Sequence, residues 1–183
     1  MKDRLYEMRN AHYAQGLLHL IDAIDSLRPT KEMTMIEIGS YAGESTELFC
    51  KHFKHVIAID PYNENYDPND ITCSYAPLSE VLVAFQQRML GTPNVSLIKA
   101  TSDDVIKHDL LMKPKYDFVY IDGLHTYDQV KKDIENYLPL INKNGFIGGH
   151  DYHPVYQGVM DAIVETIGYP HKTFQDTSWL FKL

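Results

Sequence analysis

The stretch MIEIGSYAGEST, residues 35–46, decides the fold class. An apolar run from Met33 to Ile38 is followed by Gly39 and Gly43, and Glu44 to Phe53 then has helical spacing. A strand that turns through glycines into a helix is the repeating unit of an α/β fold, and the glycines let a ligand approach the backbone closely. The pattern E-x-G-x-x-x-G is neither the dinucleotide motif G-x-G-x-x-G nor a P-loop, which would carry a lysine.

Strands and helices alternate along the rest of the chain, which predicts one α/β domain with a parallel sheet covered on both faces. An N-terminal helical segment (1–30) precedes a core (31–183). The last two strands have only Asp176-Thr177 between them, so they must pair as a hairpin with an antiparallel last strand. Strands are predicted at 33–38, 55–59, 95–99, 116–121, 146–149, 171–175 and 178–183, and helices at 11–27, 44–53, 78–90, 102–108, 127–141 and 156–167.

Composition excludes several classes of function. The chain has 183 residues, a formal net charge of −8 and 17 scattered Lys and Arg, which disfavours a nucleic-acid partner and leaves a small molecule as the expected one. Its two cysteines form no C-x-x-C pair, so neither a disulfide framework nor a cysteine zinc site is indicated. The polar N-terminus MKDRLYEMRN and the absence of a long apolar run predict no membrane segment and a cytoplasmic location.

Acidic and hydroxyl side chains follow the second and third strands. Asp60 lies roughly 20 residues after Glu37, the offset at which an acid binds ribose hydroxyls in doubly wound folds. Ser102 and Asp103 follow the third strand, where they could contact an adenine edge or simply cap a helix. Ser45, after the glycine turn, could likewise cap the second helix or stand in its first turn.

The fourth and fifth strands end in acids and imidazoles. YIDGLH contributes Asp122 and His125, and GGHDYH contributes His150, Asp151 and His153. Because ligands of open α/β sheets bind beyond the carboxyl ends of the strands, we expect the two ends to face each other across a reaction centre. The alternatives are that His125 caps the turn, that Asp151 caps the last helix, and that His150 and His153 are surface histidines.

The segments EIGSYAGEST, AIDP, ATSDD and YIDGLH, in this order, resemble the class I S-adenosylmethionine-dependent methyltransferases. The resemblance runs from Met33 to the C-terminus. It implies a Rossmann-like, doubly wound, seven-stranded and mostly parallel sheet of order 3-2-1-4-5-7-6 with an antiparallel last strand. The segments from IDGLHTYDQV to GGHDYH and GVMDAIVE resemble a subgroup of small-molecule O-methyltransferases that includes metal-dependent sugar methyltransferases.

The resemblance also implies the cofactor site. Its glycine turn and the acid after the second strand would hold the methionine and ribose parts of S-adenosylmethionine, and the residues after the third strand would face adenine. The cofactor-binding residues implied are Glu37, Gly39, Ser40, Tyr41, Gly43, Ser45, Asp60, Ser102, Asp103 and Asp122.

Metal-dependent members of the subgroup hold magnesium with three acids at the ends of the fourth and fifth strands. Asp122 and Asp151 match two of these positions, and His150 occupies the third. Imidazole is a softer ligand than Mg²⁺ prefers, so Mg²⁺, Mn²⁺, another divalent ion or no metal remain open. His125 matches the histidine that takes the substrate's proton, which makes His125 and Asp122 the expected catalytic residues.

The function expected is therefore methyl transfer from S-adenosylmethionine to a hydroxyl of a small molecule such as a sugar. The alternatives are the same fold and cofactor with another acceptor or chemistry, and a non-catalytic cofactor-binding protein. Substrate specificity is expected in the loops 62–77, 123–128 and 152–157. The N-terminal helix could cover the site or form a contact in a homo-oligomer.

Overall fold

The computed structural model describes residues 11–64, 66, 76–111 and 115–183. The strands are β1 (Thr34–Ile38), β2 (His55–Ile59), β3 (Val95–Ile98), β4 (Tyr116–Ile121), β5 (Ile141–Gly149), β6 (Lys172–Thr173) and β7 (Trp179–Lys182). The helices are α1 (Ala11–Asp25), α2 (Glu44–His52), α3 (Leu78–Arg88), α4 (Ser102–Lys107), α5 (Tyr127–Tyr137) and α6 (Gln157–Ile167).

The seven strands form one sheet of order β3-β2-β1-β4-β5-β7-β6, as predicted. Strands β1 to β5 pair in parallel, so their carboxyl ends lie along one edge of the sheet. Strand β7 runs antiparallel to both β5 and β6. None of the helices within the described residues is long and apolar enough to cross a membrane.

The core has two layers because alternate residues of a strand point to opposite faces of the sheet. Strand β1 is buried along its whole length, with Met35 in the layer shared with α1, α2 and α3 and Ile36 in the layer shared with α4, α5 and α6. Glu37 has the same parity as Met35, so its carboxylate points toward α2. Helix α1 joins the first layer through fully buried side chains such as Leu20.

The region between α5 and β5 differs from the prediction. Helix α5 ends at Tyr137 rather than at Ile141, because a 3-10 turn with Pro139, which has no N–H, follows at Leu138–Leu140. Strand β5 then begins at Ile141, five residues before the predicted start at Phe146. The predicted turn at Asn144 is an irregularity inside this strand, where φ is 63° and the register with β4 shifts. Every other strand and α-helix lies within its predicted range.

Candidate active site

The turn after β1 winds tightly through residues in the left-handed region. The φ angles are 86° at Gly39, 42° at Tyr41 and 82° at Gly43. A Cβ atom on Gly39 would lie 2.0 Å from the carbonyl oxygen of Asp122. Glycine at 39 is therefore required for the ends of β1 and β4 to meet, whatever ligand binds there.

Glu37 holds this turn in place through hydrogen bonds to α2. Its side chain is fully buried, and its carboxylate accepts hydrogen bonds from the hydroxyls of Ser45 and Thr46, the latter at 2.6 Å. Helix α2 has Gly43 as its N-cap, without a side-chain cap, so Ser45 stands in the first turn rather than capping the helix. These bonds tie β1 to α2 and fix the direction in which the turn leaves the sheet.

Asp60 joins the turns that follow β1 and β2. Its Oδ2 accepts a hydrogen bond from the backbone N–H of Tyr41 at 2.8 Å, and its Oδ1 accepts one from the N–H of Tyr62 at 3.0 Å. The Tyr62 hydroxyl lies 3.1 Å from Ser40 Oγ and donates to the carbonyl of Tyr41 at 2.8 Å. Backbone N–H groups of the two turns therefore hold the Asp60 carboxylate in place before any ligand binds.

Ser102 and Asp103, which follow β3, do not cap α4. Thr101 caps α4 by accepting from the N–H of Asp104 at 3.0 Å. Ser102 is buried and donates to Asp133 Oδ1 at 2.6 Å, and Asp103 Oδ2 pairs with Lys132 Nζ at 2.6 Å. The other carboxylate oxygen of Asp103 is buried and accepts no hydrogen bond from the described residues.

The sequence analysis did not identify two residues of this region. Asp133 lies on the buried face of α5, and burial raises the pKa of its carboxyl to about 6. Burial also raises the pKa of the Tyr66 phenol to about 12, and its hydroxyl is hydrogen-bonded with Ser102. A signal existed for Asp133, which has helical spacing with the apolar Val130 and therefore belongs to the apolar face.

The ends of β4 and β5 bring together the four predicted side chains. His125 Nε2 lies 2.9 Å from Asp151 Oδ2 and 3.7 Å from Asp122 Oδ1. His150 Nδ1 lies 3.0 Å from Asp151 Oδ1 and 3.8 Å from Asp122 Oδ1. We call these four residues the β4–β5 cluster. His153 lies outside it, because its ring is exposed and accepts from the N–H of Val155.

The backbone holds the cluster from two sides. The N–H of Asp122 donates to the carbonyl of Ile38 on β1 at 2.8 Å. The indole of Trp179 on β7 donates to the carbonyl of His150 at 3.2 Å. Asp151 adopts a φ of 62°, which turns its side chain back toward the two histidines instead of capping α6. The three strands β1, β4 and β7 thus fix the positions of these side chains.

The charges of the cluster are strongly coupled. Burial lowers the pKa of His125, but the carboxylates of Asp122 and Asp151 outweigh this effect and raise that pKa to about 10. Burial raises the pKa of Asp151, and its contacts with His125 and His150 outweigh that and hold the pKa well below its ordinary range. His125 Nε2 and Asp151 Oδ2 form an ion pair at 2.9 Å. His125 therefore carries a proton at neutral pH in this arrangement.

The cluster also has the composition of a divalent-metal site. One ligand atom each from Asp122, His125 and Asp151 lies within 4.8 Å of the others. His150 presents Nδ1 to the same two carboxylates. Carboxylates with imidazoles suit Mn²⁺ and the later divalent ions better than Mg²⁺, which prefers oxygen ligands.

Comparison with known proteins identifies the family. A family model described as a methyltransferase domain matches residues 36–152, which include the turns after β1 to β4 and the end of β5. The chain belongs to this methyltransferase family. Its fold is the class I methyltransferase fold, and S-adenosylmethionine is the cofactor that the family implies.

Individual relatives of this methyltransferase domain are distant. An uncharacterised protein of Acanthamoeba polyphaga mimivirus is 27% identical over 143 residues, which are 73% of this chain and 58% of that protein. The solved structure of the O-methyltransferase NovP has a TM-score of 0.68 at 14% identity, over 94% of this chain and 82% of that one. CalS11, a calicheamicin methyltransferase, has a TM-score of 0.66 at 14% identity, over 94% and 80%. These structures share the fold.

Proposed function

We propose that the chain transfers a methyl group from S-adenosylmethionine to a hydroxyl of a small molecule such as a sugar. The observation that carries this proposal is the arrangement of two different sites along one edge of the sheet. The turns after β1, β2 and β3 present hydrogen-bonding groups for a nucleoside. The β4–β5 cluster presents titratable groups to a molecule bound beside it.

The first of these sites fits the cofactor. Gly39 to Gly43 and Asp60 would hold its methionine and ribose parts, because both oxygens of Asp60 are fixed by backbone N–H groups and a carboxylate oxygen can accept more than one hydrogen bond. Asp103 Oδ1, a buried acceptor without a hydrogen bond from the described residues, suits the amino group of adenine. Glu37 would act by holding the turn, since its own carboxylate is enclosed. The cofactor supplies an electrophilic methyl group.

The acceptor hydroxyl must lose its proton to become an effective nucleophile. His125 is the residue proposed to take this proton, because it is on the loop leaving β4 and is the one of the two cluster histidines with the larger exposed fraction, 33% against 16%. It can do so at neutral pH only when Asp122 and Asp151 no longer hold its pKa near 10. With the two carboxylates engaged by a cation, an imidazole pKa of about 6.5 suits general base catalysis.

A divalent cation is therefore the second part of the proposal. Asp122, His150 and Asp151 would hold it, and a bound cation lowers the pKa of a neighbouring hydroxyl. The hydroxyl acceptor is favoured by the fold shared with NovP, an O-methyltransferase, and with CalS11, which is described as a TDP-rhamnose 3'-O-methyltransferase.

Calorimetry tests the two parts separately. Titration with S-adenosylmethionine should show saturable binding in the wild-type protein, and preferential binding of NAD would overturn the cofactor assignment. Titration with Mn²⁺ and Mg²⁺ should show binding that Asp151→Asn abolishes, with Mn²⁺ the tighter ligand. An acceptor screen of sugars and phenols then reports turnover, and full turnover in excess EDTA would exclude the metal.

A further inference from the structure

A short apolar surface lies directly beside the β4–β5 cluster. The 3-10 turn Pro154–Tyr156 follows β5, and within it Val155 is 76% exposed and Tyr156 is 41% exposed. The Tyr156 ring lies 5.5 Å from the His125 ring at an interplanar angle of 44°. We call Val155 and Tyr156 the apolar wall. The exposed Tyr156 ring beside His125 offers an apolar face to a ligand that lies at the cluster.

The wall is held in place before any ligand binds. The N–H of Tyr156 donates to the carbonyl of His153 at 2.8 Å, and the turn is closed on its other side by the contact of its ring with His125. A preformed aromatic surface gives affinity because little side-chain freedom is lost on binding. The His125 ring, which is proposed to accept the proton, and the Tyr156 ring therefore lie next to each other.

The residues around the apolar wall lack the side chains that usually recognise a phosphate. The segments 122–128 and 149–160, which contain the cluster and the wall, have no Lys or Arg. They carry Asp122, Asp128 and Asp151, and Asp128 stands in the first turn of α5, where an anion would otherwise be stabilised. Recognition of a phosphate normally uses Arg or Lys or a free helix N-terminus.

We propose that the apolar wall binds the methyl acceptor, and that this acceptor is an uncharged hydroxylated molecule with an apolar ring rather than a phosphate-linked sugar. This inference rests on the proposed function, because it assigns the acceptor side of the same site. Tyr156 stacks on the apolar face of the acceptor, Val155 contacts its edge, and the reacting hydroxyl points toward His125.

Two probes that differ in charge test the inference by binding alone. The protein carries ¹³C-labelled valine methyl groups and is titrated with phenyl β-D-glucopyranoside, which is neutral, or with TDP, with and without Mg²⁺ and S-adenosylhomocysteine. The glycoside should shift the Val155 methyl signals saturably, and TDP should not. Val83, 48% exposed on α3, is the internal control that should stay unchanged. A saturable TDP shift at Val155, or none with the glycoside, would overturn the proposal.

Variants of the wall provide the second measurement. Tyr156→Ala should weaken glycoside binding about 10-fold, the order expected for one aromatic contact with its buried area, and Tyr156→Phe should retain it. Tyr169→Ala is the matched control, since Tyr169 is 77% exposed and lies beyond the end of α6. Unchanged binding in Tyr156→Ala would contradict the role of the wall.

The two proposals fail in distinguishable ways. If the glycoside shifts Val155 but no cofactor binds and no methyl group is transferred, the proposed function is wrong and the wall remains a glycoside-binding surface. If the cofactor binds and a phosphate-linked sugar is methylated in preference to a neutral one, the function stands and the inference about the acceptor is wrong.

Discussion

The carboxylates at the two halves of the sheet edge are held in opposite ways. Glu37, within β1, and Asp60, beyond β2, accept hydrogen bonds from hydroxyls and backbone N–H groups that cannot change their charge at neutral pH. Asp122 and Asp151, beyond β4 and β5, face the imidazoles of two histidines. The hydrogen bonds of the first half, which holds Glu37 and Asp60, are already formed before any ligand binds. The second half keeps a charge state that a proton or a cation can change.

In the proposed function, this difference separates cofactor binding from chemistry along one edge of the sheet. Fixed dipoles hold a ligand without reorganising when it arrives, which suits a cofactor that enters and leaves unchanged in charge at its nucleoside end. Coupled titratable groups respond to each proton that moves beside them, which suits the acceptor side. The comparison predicts that substitutions in the two halves change different measured quantities.

The largest effect is expected for His125→Ala. Removal of a general base commonly lowers turnover about 10²–10⁴-fold, while the affinity for S-adenosylmethionine should change little because His125 belongs to the second half. Steady-state kinetics with an acceptor found by the screen, together with calorimetry, measures both quantities. His108→Ala is the control, since His108 is exposed at the C-terminal end of α4, outside the cluster. Wild-type turnover in His125→Ala would show that another group takes the proton.

The next effect is expected for Asp60→Ala in the first half. Each charge-assisted hydrogen bond to a ribose hydroxyl contributes about 1.5–3 kcal/mol, so cofactor affinity should fall about 10–100-fold or more. Calorimetry with S-adenosylhomocysteine measures this without an acceptor. Asp161→Ala, at an exposed position of α6, should bind as the wild type does. Unchanged affinity in Asp60→Ala would remove the distinction between the halves.

Gly39→Ala tests the backbone contact that joins the two halves. The left-handed φ alone should cost about 1–2 kcal/mol of unfolding free energy. The contact of the new Cβ with the Asp122 carbonyl should add about 1–3 kcal/mol, because backbone must move. Gly91→Ala is the matched control, with a φ of 80° and nothing within 4 Å of the added atom. Urea unfolding measures the loss of unfolding free energy in both variants, and the difference between the two losses gives the cost of the contact with Asp122. Equal losses would contradict the contact.

The smallest effect is expected for Asp133→Asn and concerns pH. The folded-state pKa of Asp133, about 6, is above the ordinary 3.8, so the folded state binds the proton more tightly than the unfolded state does. Stability contributed by this group is present below pH 4 and is lost as the pH rises to 6, by about 1–3 kcal/mol.

Urea unfolding between pH 4 and pH 7 measures this dependence. The stability of Asp133→Asn relative to the wild type should increase over that range and then level off. Glu135→Gln, at an exposed position of the same helix, should follow the wild type. A constant difference between Asp133→Asn and the wild type would show that Asp133 ionises in the folded state as freely as in water.

The fold could be predicted from the sequence because it depends on local patterns. Alternating strands and helices give the layers, and the short link before β7 gives its direction. The start of β5 could not be predicted, because Asn144 looks like a turn residue, and the strand continues past it only because Ile141 before it and Phe146 after it both pair with β4. Here the tertiary contacts of β5 outweigh the local turn propensity of Asn144.

The candidate site could be predicted only as a set of residues. The position of Asp122, His125, His150 and Asp151 at strand ends follows from the sequence. The pKa of His125 does not, because it depends on two carboxylates from different strands that meet only in the folded chain. The role of Tyr156 is hidden for the same reason, since its ring meets His125 across two loops.

Strand β7 has a consequence for how the domain assembles. It follows β6 in the chain but inserts between β6 and β5, and its Trp179 donates to the carbonyl of His150. The loop that carries His150 and Asp151 therefore receives this support only when a strand from further along the chain has paired with β5.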